Sequence, residues 1–231
     1  MQILHIDCSP REESHSRKLS AAIVARLFTD YPDASVIRRD LGRDPIPHAE
    51  SGYATVLSSP GALASEQASK ATLLSEKLIN EIEAADVLVI GTPMNNFTVP
   101  SVLKAWIDQI LRMGRTIGET PTGEKIGLLQ DKPVYIGIAS GGVFSGDRAK
   151  QPDFLMPYLR AAFGCIGLSS LQFFALQATA FRDKGQLEAD QSALIATLDM
   201  ARINRRFLVG TEEFWIHRGW KSALCSYFRR H

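Results

Sequence analysis

The chain has 231 residues and a formal net charge of +1, with 45% hydrophobic and 22% charged residues. Such a composition is ordinary for a globular protein of one large domain or two small ones, and the charge gives no overall reason to expect nucleic-acid binding. Cys8, Cys165 and Cys225 include no CxxC pair, which argues against a disulfide scaffold or a metal site and for a reducing compartment. No signal peptide follows Met1, and no apolar run approaches the roughly 18 residues of a membrane span. We therefore expect a cytoplasmic protein.

The first forty residues predict a β-α-β unit. Residues 3–6 are short, apolar and β-prone, and residues 34–41 read as a second strand. Between them, Leu19, Ile23, Leu27 and Phe28 repeat at helical spacing, with Ser14 or Ser16 as the helix N-cap. Such a unit implies a right-handed crossover and a parallel sheet.

The remaining elements continue the alternation. An irregular stretch over residues 42–60 precedes a helical run marked by Leu63, Ala64, Leu73, Leu74, Leu78 and Ile82. Residues 86–91 are apolar throughout, as expected of a strand covered on both faces. A helix face follows, formed by Val102, Leu103, Trp106, Ile107, Ile110 and Leu111. Strands over 133–139 and 168–176 and helices over about 154–163 and 186–206 complete a single doubly wound α/β domain.

Three unusual loops follow predicted strands, at the edge where open parallel sheets bind ligands. Loop one (residues 9–16) carries Ser9, Ser14 and Ser16 before a helix N-terminus, which favours an anion such as phosphate. It matches neither GxGxxG nor GxxxxGK[ST], so no dinucleotide fingerprint or nucleoside-triphosphate loop is present. The simpler interpretation is a serine-rich cap, with His15 a polar loop residue rather than a catalytic one.

Loop two (residues 92–98) contains Met94, Asn95, Asn96 and Phe97, which offer an apolar wall and amide groups. The alternative is a connecting turn made by Pro93 and Asn95, with Phe97 packed inward.

Loop three (residues 139–143) places Gly141 and Gly142 where a ligand needs close approach to backbone N–H donors. The alternative is a flexible turn. Taken together, the loops predict one site, with a phosphate on loop one and a flat heterocycle between loops two and three.

These loops resemble those of the FMN-dependent NADH-azoreductases, also described as NADH:quinone oxidoreductases, of the flavodoxin-like fold. The resemblance covers residues 1–200 and includes the segments RDLGRDPIP and PYLRAAFGCIG. It implies a five-stranded parallel sheet with helices on both faces. It also implies FMN contacts from Ser9, His15 and Ser16 to the phosphate and ribityl chain, from residues 93–97 to the isoalloxazine, and from Ala139, Ser140, Gly141 and Gly142 near the pyrimidine edge. FAD is not expected, because no adenine-binding half with its glycine fingerprint is present.

Two positions depart from the family pattern. Asn95 stands where the family usually has Tyr, and Ser140 stands where Arg is common. Because FMN binding relies largely on backbone groups there, we expect it to be retained, and the departures to bear on acceptor and nicotinamide preference.

The resemblance implies two-electron, ping-pong transfer from NADH or NADPH through FMN to a quinone or azo acceptor, in a homodimer. The N–H groups of Gly141 and Gly142 are candidates for stabilising negative charge on the reduced flavin. No acid–base catalytic residue is identifiable. The rival interpretations are a flavodoxin-type electron carrier, which is typically strongly acidic, and a flavin-binding protein without turnover.

Residues 201–231 form a basic, aromatic extension that the resemblance does not explain. Six Arg and one Lys against two Glu give it a net charge of +5. Such a segment can lie on anionic lipid or contact nucleic acid. We favour a third interpretation, in which the aromatic side chains pack on the domain or across a dimer, because Gly210 and Gly219 interrupt any long amphipathic helix. In this hypothesis the tail wraps the partner subunit, and the FMN site is complete without it.

Overall fold

The computed structural model describes residues 1–58, 70–201 and 203. The chain divides into a compact unit of Met1–Leu198 and a second unit of Asp199–His231. The predictions for Leu63, Ala64 and nearly all of the basic tail lie outside the described residues.

A five-stranded parallel sheet forms the centre of the first unit. Its strands are β1 (Gln2–Asp7), β2 (Ser35–Asp40), β3 (Val87–Pro93), β6 (Val134–Ala139) and β7 (Leu171–Leu176). They pair in the order β2-β1-β3-β6-β7, all parallel. Strand order therefore reverses between β1 and β3, which in open α/β sheets marks the ligand-binding crevice. The predicted doubly wound sheet is confirmed.

Helices cover both faces of this sheet. The helices are α1 (His15–Asp30), α2 (Ser51–Ser58), α3 (Leu73–Ala84), α4 (Ser101–Ile110), α5 (Leu155–Cys165) and α6 (Lys184–Ala196). Helix α1 packs on β3 and β6, and α6 packs on β7 and α1. On the other face, α3, α4 and α5 enclose the main core, where the rings of Trp106 and Phe163 lie 6.2 Å apart. Both side chains are buried within one chain, as a core role requires.

Two glycines allow α1 to approach the sheet closely. A Cβ on Gly91 of β3 would lie 2.5 Å from Ser20 Oγ and 2.8 Å from Ser16 O. A Cβ on Gly137 of β6 would lie 3.0 Å from Leu19 Cγ. Any larger residue at Gly91 would therefore push the first turns of α1 away from the strands.

Polar contacts hold the amino ends of the strands. The buried Lys132 Nζ donates to the carbonyls of Ile82 and Ala85, each at 2.6 Å, at the end of α3. The Asp131 carboxylate accepts from the backbone N–H groups of Ser169 and Ser170 at 2.8 and 3.1 Å. These contacts satisfy helix and loop ends that would otherwise lack partners.

The structure corrects three sequence-based boundaries. Residues 51–58 form α2 inside the stretch expected to be irregular, because Tyr53 is buried and its hydroxyl donates to the carbonyl of Asp108 at 3.3 Å. The last strand begins at Leu171 rather than 168. Helix α6 ends at Ala196 rather than near residue 206. Just after this end, the carbonyl of Thr197 accepts a hydrogen bond from Gln172 Nε2 at 2.7 Å.

The sequence analysis also did not anticipate a short hairpin of β4 (Ile117–Glu119) and β5 (Lys125–Gly127). Among the described residues, no helix has both the length and the apolar character needed to cross a membrane.

Candidate cofactor site

Loop one leads from β1 into the N-terminus of α1. The first intrahelical bond runs from Lys18 N to Ser14 O at 3.1 Å, so the N–H groups of His15, Ser16 and Arg17 precede the helical ladder. Ser9 and Ser16 are buried, and Ser14 Oγ lies 2.9 Å from Ser16 Oγ. Burial and the adjacent cations Lys18 and Arg11 lower the pKa of His15. A neutral His15 beside free backbone donors fits an anion held by main-chain N–H groups and the helix dipole.

Arg17 holds the backbone of loop one through the carbonyl of Ser9. Its guanidinium donates to Ser9 O at 2.8 and 2.5 Å and to the Asp40 carboxylate at 2.7 and 2.5 Å. The Arg17 side chain is only 10% exposed. Its charge is paired with Asp40 and, at 3.5 Å, with Asp7, while its two bonds to Ser9 O hold that carbonyl in place.

A buried polar network lies beneath this loop. Ser20 Oγ donates to Asp7 Oδ1 at 2.9 Å and lies 3.0 Å from His5 Nε2, while Arg38 donates to Asp7 Oδ2 at 3.0 Å. Burial by itself would raise the pKa of Asp7, but the interactions with His5, Arg38 and Ser20 lower that pKa to about 2. Asp7 is thus ionised at neutral pH, and it ties β1 to α1 directly under the phosphate-type site.

Loop two is a tight turn after β3. Asn95 N donates to Thr98 O at 2.9 Å and Thr98 N donates back at 3.0 Å. Asn96 and Phe97 have φ angles of 48° and 71°, the positive values that a type I′ turn requires. Asn tolerates this conformation, whereas for Phe it is strained. Phe97 is 44% exposed, so the alternative in which it packs inward is wrong.

The turn leaves two backbone donors unpaired. The N–H groups of Asn96 and Phe97 have no hydrogen-bond partner among the described residues. Met94 is partly buried against the core and supplies an apolar surface beside them. Loop two therefore offers both features that the sequence predicted, an apolar wall and free donors.

Loop three is held in one conformation by the segment that follows β7. Its carbonyls at Ser140, Gly141 and Gly142 accept from Thr179, Ala180 and Ala178 at 3.0, 3.4 and 3.1 Å. The N–H groups of Gly141 and Gly142 have no partner within the described part of the chain. These bonds tie loop three to residues 178–180, and the loop presents two backbone donors.

The pairing of the strands brings the three loops together. Asp7 of β1 pairs with Gly91 of β3, and Pro93 at the end of β3 pairs with Ala139 at the end of β6. Met94 N also donates to Ala139 O at 2.9 Å. The twelve residues predicted to contact the cofactor therefore lie at the carboxyl edge of adjacent strands, in the last residues of strands, in the loops that follow them or in the first turn of α1. They are Ser9, His15, Ser16, Pro93, Met94, Asn95, Asn96, Phe97, Ala139, Ser140, Gly141 and Gly142.

A cavity of about 730 Å³ adjoins loop three at Val143. The rest of its lining comes from residues 145–148, from the end of β7 with the segment that follows it, and from α6 with Thr197 just after it. Arg182 in this lining forms an ion pair with Asp190. In the described residues, no cluster of three or more His, Cys, Asp or Glu side chains is arranged to hold a metal ion.

The sequence analysis missed two residues of this region. Arg17 is hidden within an ordinary helical pattern, and its role depends on Asp40 at the far end of β2. Gln151 lies in an irregular segment without a motif, yet its Nε2 lies 3.1 Å from Ser140 Oγ. Neither contact has a local sequence signal, because the partners are brought together only by the fold.

Comparisons with known proteins agree with the fold. Residues 1–198 match the family model described as flavodoxin-like fold. FMN-dependent NADH:quinone oxidoreductase 4 of Pseudomonas fluorescens is 43% identical over 201 residues, covering 87% of this chain and 91% of that protein. FMN-dependent NADH:quinone oxidoreductase 2 of Cupriavidus pinatubonensis is 42% identical, covering 76% and 85%. The crystal structure of an azoreductase from Bacillus anthracis superposes with a TM-score of 0.74 at 27% identity, covering 85% of this chain and 97% of that one.

Proposed function

Since this chain belongs to the flavodoxin-like family of the FMN-dependent NADH:quinone oxidoreductases, we propose that it is an FMN-dependent enzyme that uses NADH or NADPH to reduce quinones or azo compounds. The observation that carries the proposal is the set of free backbone donors on three loops at the β1/β3 reversal of strand order. FMN needs a phosphate site and a slot for a flat ring with a polar edge, and the residues present suit both requirements.

The chain's own groups divide the binding between them. The N–H groups at the start of α1, with Ser9 and Ser16, hold the phosphate in this proposal. Met94 and the turn at Asn96 and Phe97 face the ring. FMN, when bound, supplies hydride acceptance from the nicotinamide and two-electron delivery to the acceptor.

The glycine donors of loop three have an electrostatic role in the proposed reaction. The fixed N–H groups of Gly141 and Gly142 are placed to stabilise negative charge on the pyrimidine side of the ring. Their positions are set in advance by the three carbonyl bonds to residues 178–180. Little reorganisation is then needed when charge develops.

The first experiment identifies the cofactor and the activity. The purified protein should be yellow, and the flavin released by heat should be FMN. NADH oxidation with benzoquinone and with an azo dye should then proceed at steady state. Release of FAD, or no flavin after titration with FMN, would refute the cofactor. Bound FMN without turnover of either acceptor would favour an electron carrier or a flavin-binding protein instead.

The proposed assembly is a homodimer in the cytoplasm. Exposed apolar side chains at Met113, Ile126 and Leu128 support a covered surface near the β4–β5 hairpin, and the free thiols of Cys8 and Cys165 support a reducing compartment. Sedimentation should give a dimer at assay concentration. A fully active monomer would contradict the assembly and leave the proposed reaction intact.

A further inference from the structure

The segment of residues 150–154 crosses from loop three to loop two. At one end, Lys150 N donates to Val143 O at 2.9 Å. At the other end, Phe154 N donates to Phe97 O at 3.0 Å, immediately before α5. Two main-chain bonds therefore attach one short segment to both loops between which the flat ring is proposed to lie.

Gln151 makes a second connection between the same loops through its side chain. Its Nε2 group lies 3.1 Å from Ser140 Oγ of loop three and 3.3 Å from Met94 Sδ of loop two. Ser140 is 3% exposed, so its hydroxyl has little access to water and depends on protein partners. One carboxamide thus contacts both a buried hydroxyl of loop three and a core-facing thioether of loop two, and these two groups lie 3.9 Å apart.

Two further features depend on this arrangement. Phe97 has a strained φ of 71°, and its carbonyl accepts a hydrogen bond from Phe154 N. Backbone strain persists only where the surrounding structure holds it, and this bond is one such contact. Gly142 leaves room for the Gln151 side chain, because a Cβ there would lie 2.6 Å from Gln151 Oε1. The segment, the strained turn and the glycine fit one another as a unit.

We propose that residues 150–154 form a clasp that sets the separation of loops two and three, and that Gln151 is the positioning residue that fixes the slot for the flavin ring. The inference rests on the proposed function and extends it to a segment outside the three loops. Gln151 acts through Met94 and Ser140, so its loss should disturb the ring and leave the phosphate site on loop one unchanged.

The decisive experiment compares Gln151→Met, which keeps length but removes the donors, with Gln130→Met, an exposed control before β6. FMN and riboflavin are titrated into each apoprotein, and visible circular dichroism is recorded at saturation. For Gln151→Met we expect about tenfold weaker binding of both ligands, an unchanged ratio of the two affinities and an altered flavin spectrum. Gln130→Met should match the unchanged protein.

A second measurement tests the clasp without any ligand. Amide hydrogen exchange in residues 94–98 should be faster in Gln151→Met apoprotein than in the control. Ser140→Ala should weaken FMN binding less, and the double variant should be no worse than Gln151→Met alone, because both remove the same contact.

Unchanged affinity, spectrum and exchange in Gln151→Met would overturn the clasp and leave the proposed function standing. Failure of the unaltered protein to bind FMN would instead overturn the proposed function, together with the role of Gln151 in positioning the ring.

Discussion

Replacing Gly91 with Ala should lower both the stability of the fold and the affinity for FMN. The added Cβ would lie 2.8 Å from the backbone oxygen of Ser16, where ordinary contact begins at 3.4 Å. The first turns of α1 must therefore retreat by about 0.6 Å, or the strand must bend by a similar amount. The same Cβ would lie 2.5 Å from Ser20 Oγ, which would disturb the hydrogen bond from Ser20 to Asp7.

Overpacking of this kind costs about 1–3 kcal/mol. Because Ser16 belongs to the turn whose N–H groups are proposed to hold the phosphate, we expect about tenfold weaker FMN binding as well. Urea unfolding of the apoprotein gives the first quantity, and titration with FMN gives the second.

Two other glycines provide matched controls for Gly91→Ala. Gly137→Ala also faces α1, but the nearest atoms to its Cβ belong to the side chain of Leu19, at 3.0 Å or more, and it should cost less. Gly164→Ala on α5 meets nothing within 4 Å and should stabilise by about 0.5–1 kcal/mol. An unfolding free energy for Gly91→Ala equal to that of the unaltered protein would refute the close approach. Lost stability with unchanged FMN affinity would refute the link between the position of α1 and the phosphate.

Further changes test other parts of the molecule. Gly142→Val should weaken FMN binding, because the added side chain would displace Gln151. The backbone at Gly142 does not have a positive φ, so circular dichroism should show an intact fold. Unchanged affinity would mean that loop three is only a connecting turn. Asp7→Asn should lose about 2 kcal/mol at neutral pH, since the depressed pKa of Asp7 stabilises the fold above pH 4. That difference should shrink between pH 4 and pH 2 in acid-unfolding curves, and a constant difference would contradict it. Truncation after Ala201 should weaken the dimer or solubility and leave flavin stoichiometry intact; salt-sensitive sedimentation with anionic vesicles, lost on truncation, would support membrane contact instead.

The sheet, and the loops that follow its strands, were predictable because each depends on local patterns. The continuous apolar run before Pro93 indicated a strand buried on both faces, and the structure places it at the centre of the sheet. Ser, Gly and Asn residues after three such runs then marked the carboxyl edge. The apolar pattern of a strand and the residue types of a turn can both be recognised within a few consecutive residues.

The missed features depend on contacts between distant parts of the chain. Strand β5 is exposed along its whole length, so it has no alternation of buried and exposed residues to reveal it. The sequence left burial and exposure of Phe97 open, and the structure places this residue in a turn at a φ of 71° with its side chain 44% exposed. Gln151 reaches Met94 across 57 positions of sequence, and no spacing rule predicts such a pair.

The polar contacts of Lys132 and Asp131 lie at the amino ends of the strands, opposite the loops proposed to bind FMN. These two sets of contacts are therefore remote from the edge where an acceptor would meet the protein. Side chains such as Asn95 and Asn96 point into solvent, and the free donors beside them belong to the main chain. Exchange of side chains at the carboxyl edge can then alter the chemistry around the proposed ring without touching the contacts at the amino ends of the strands.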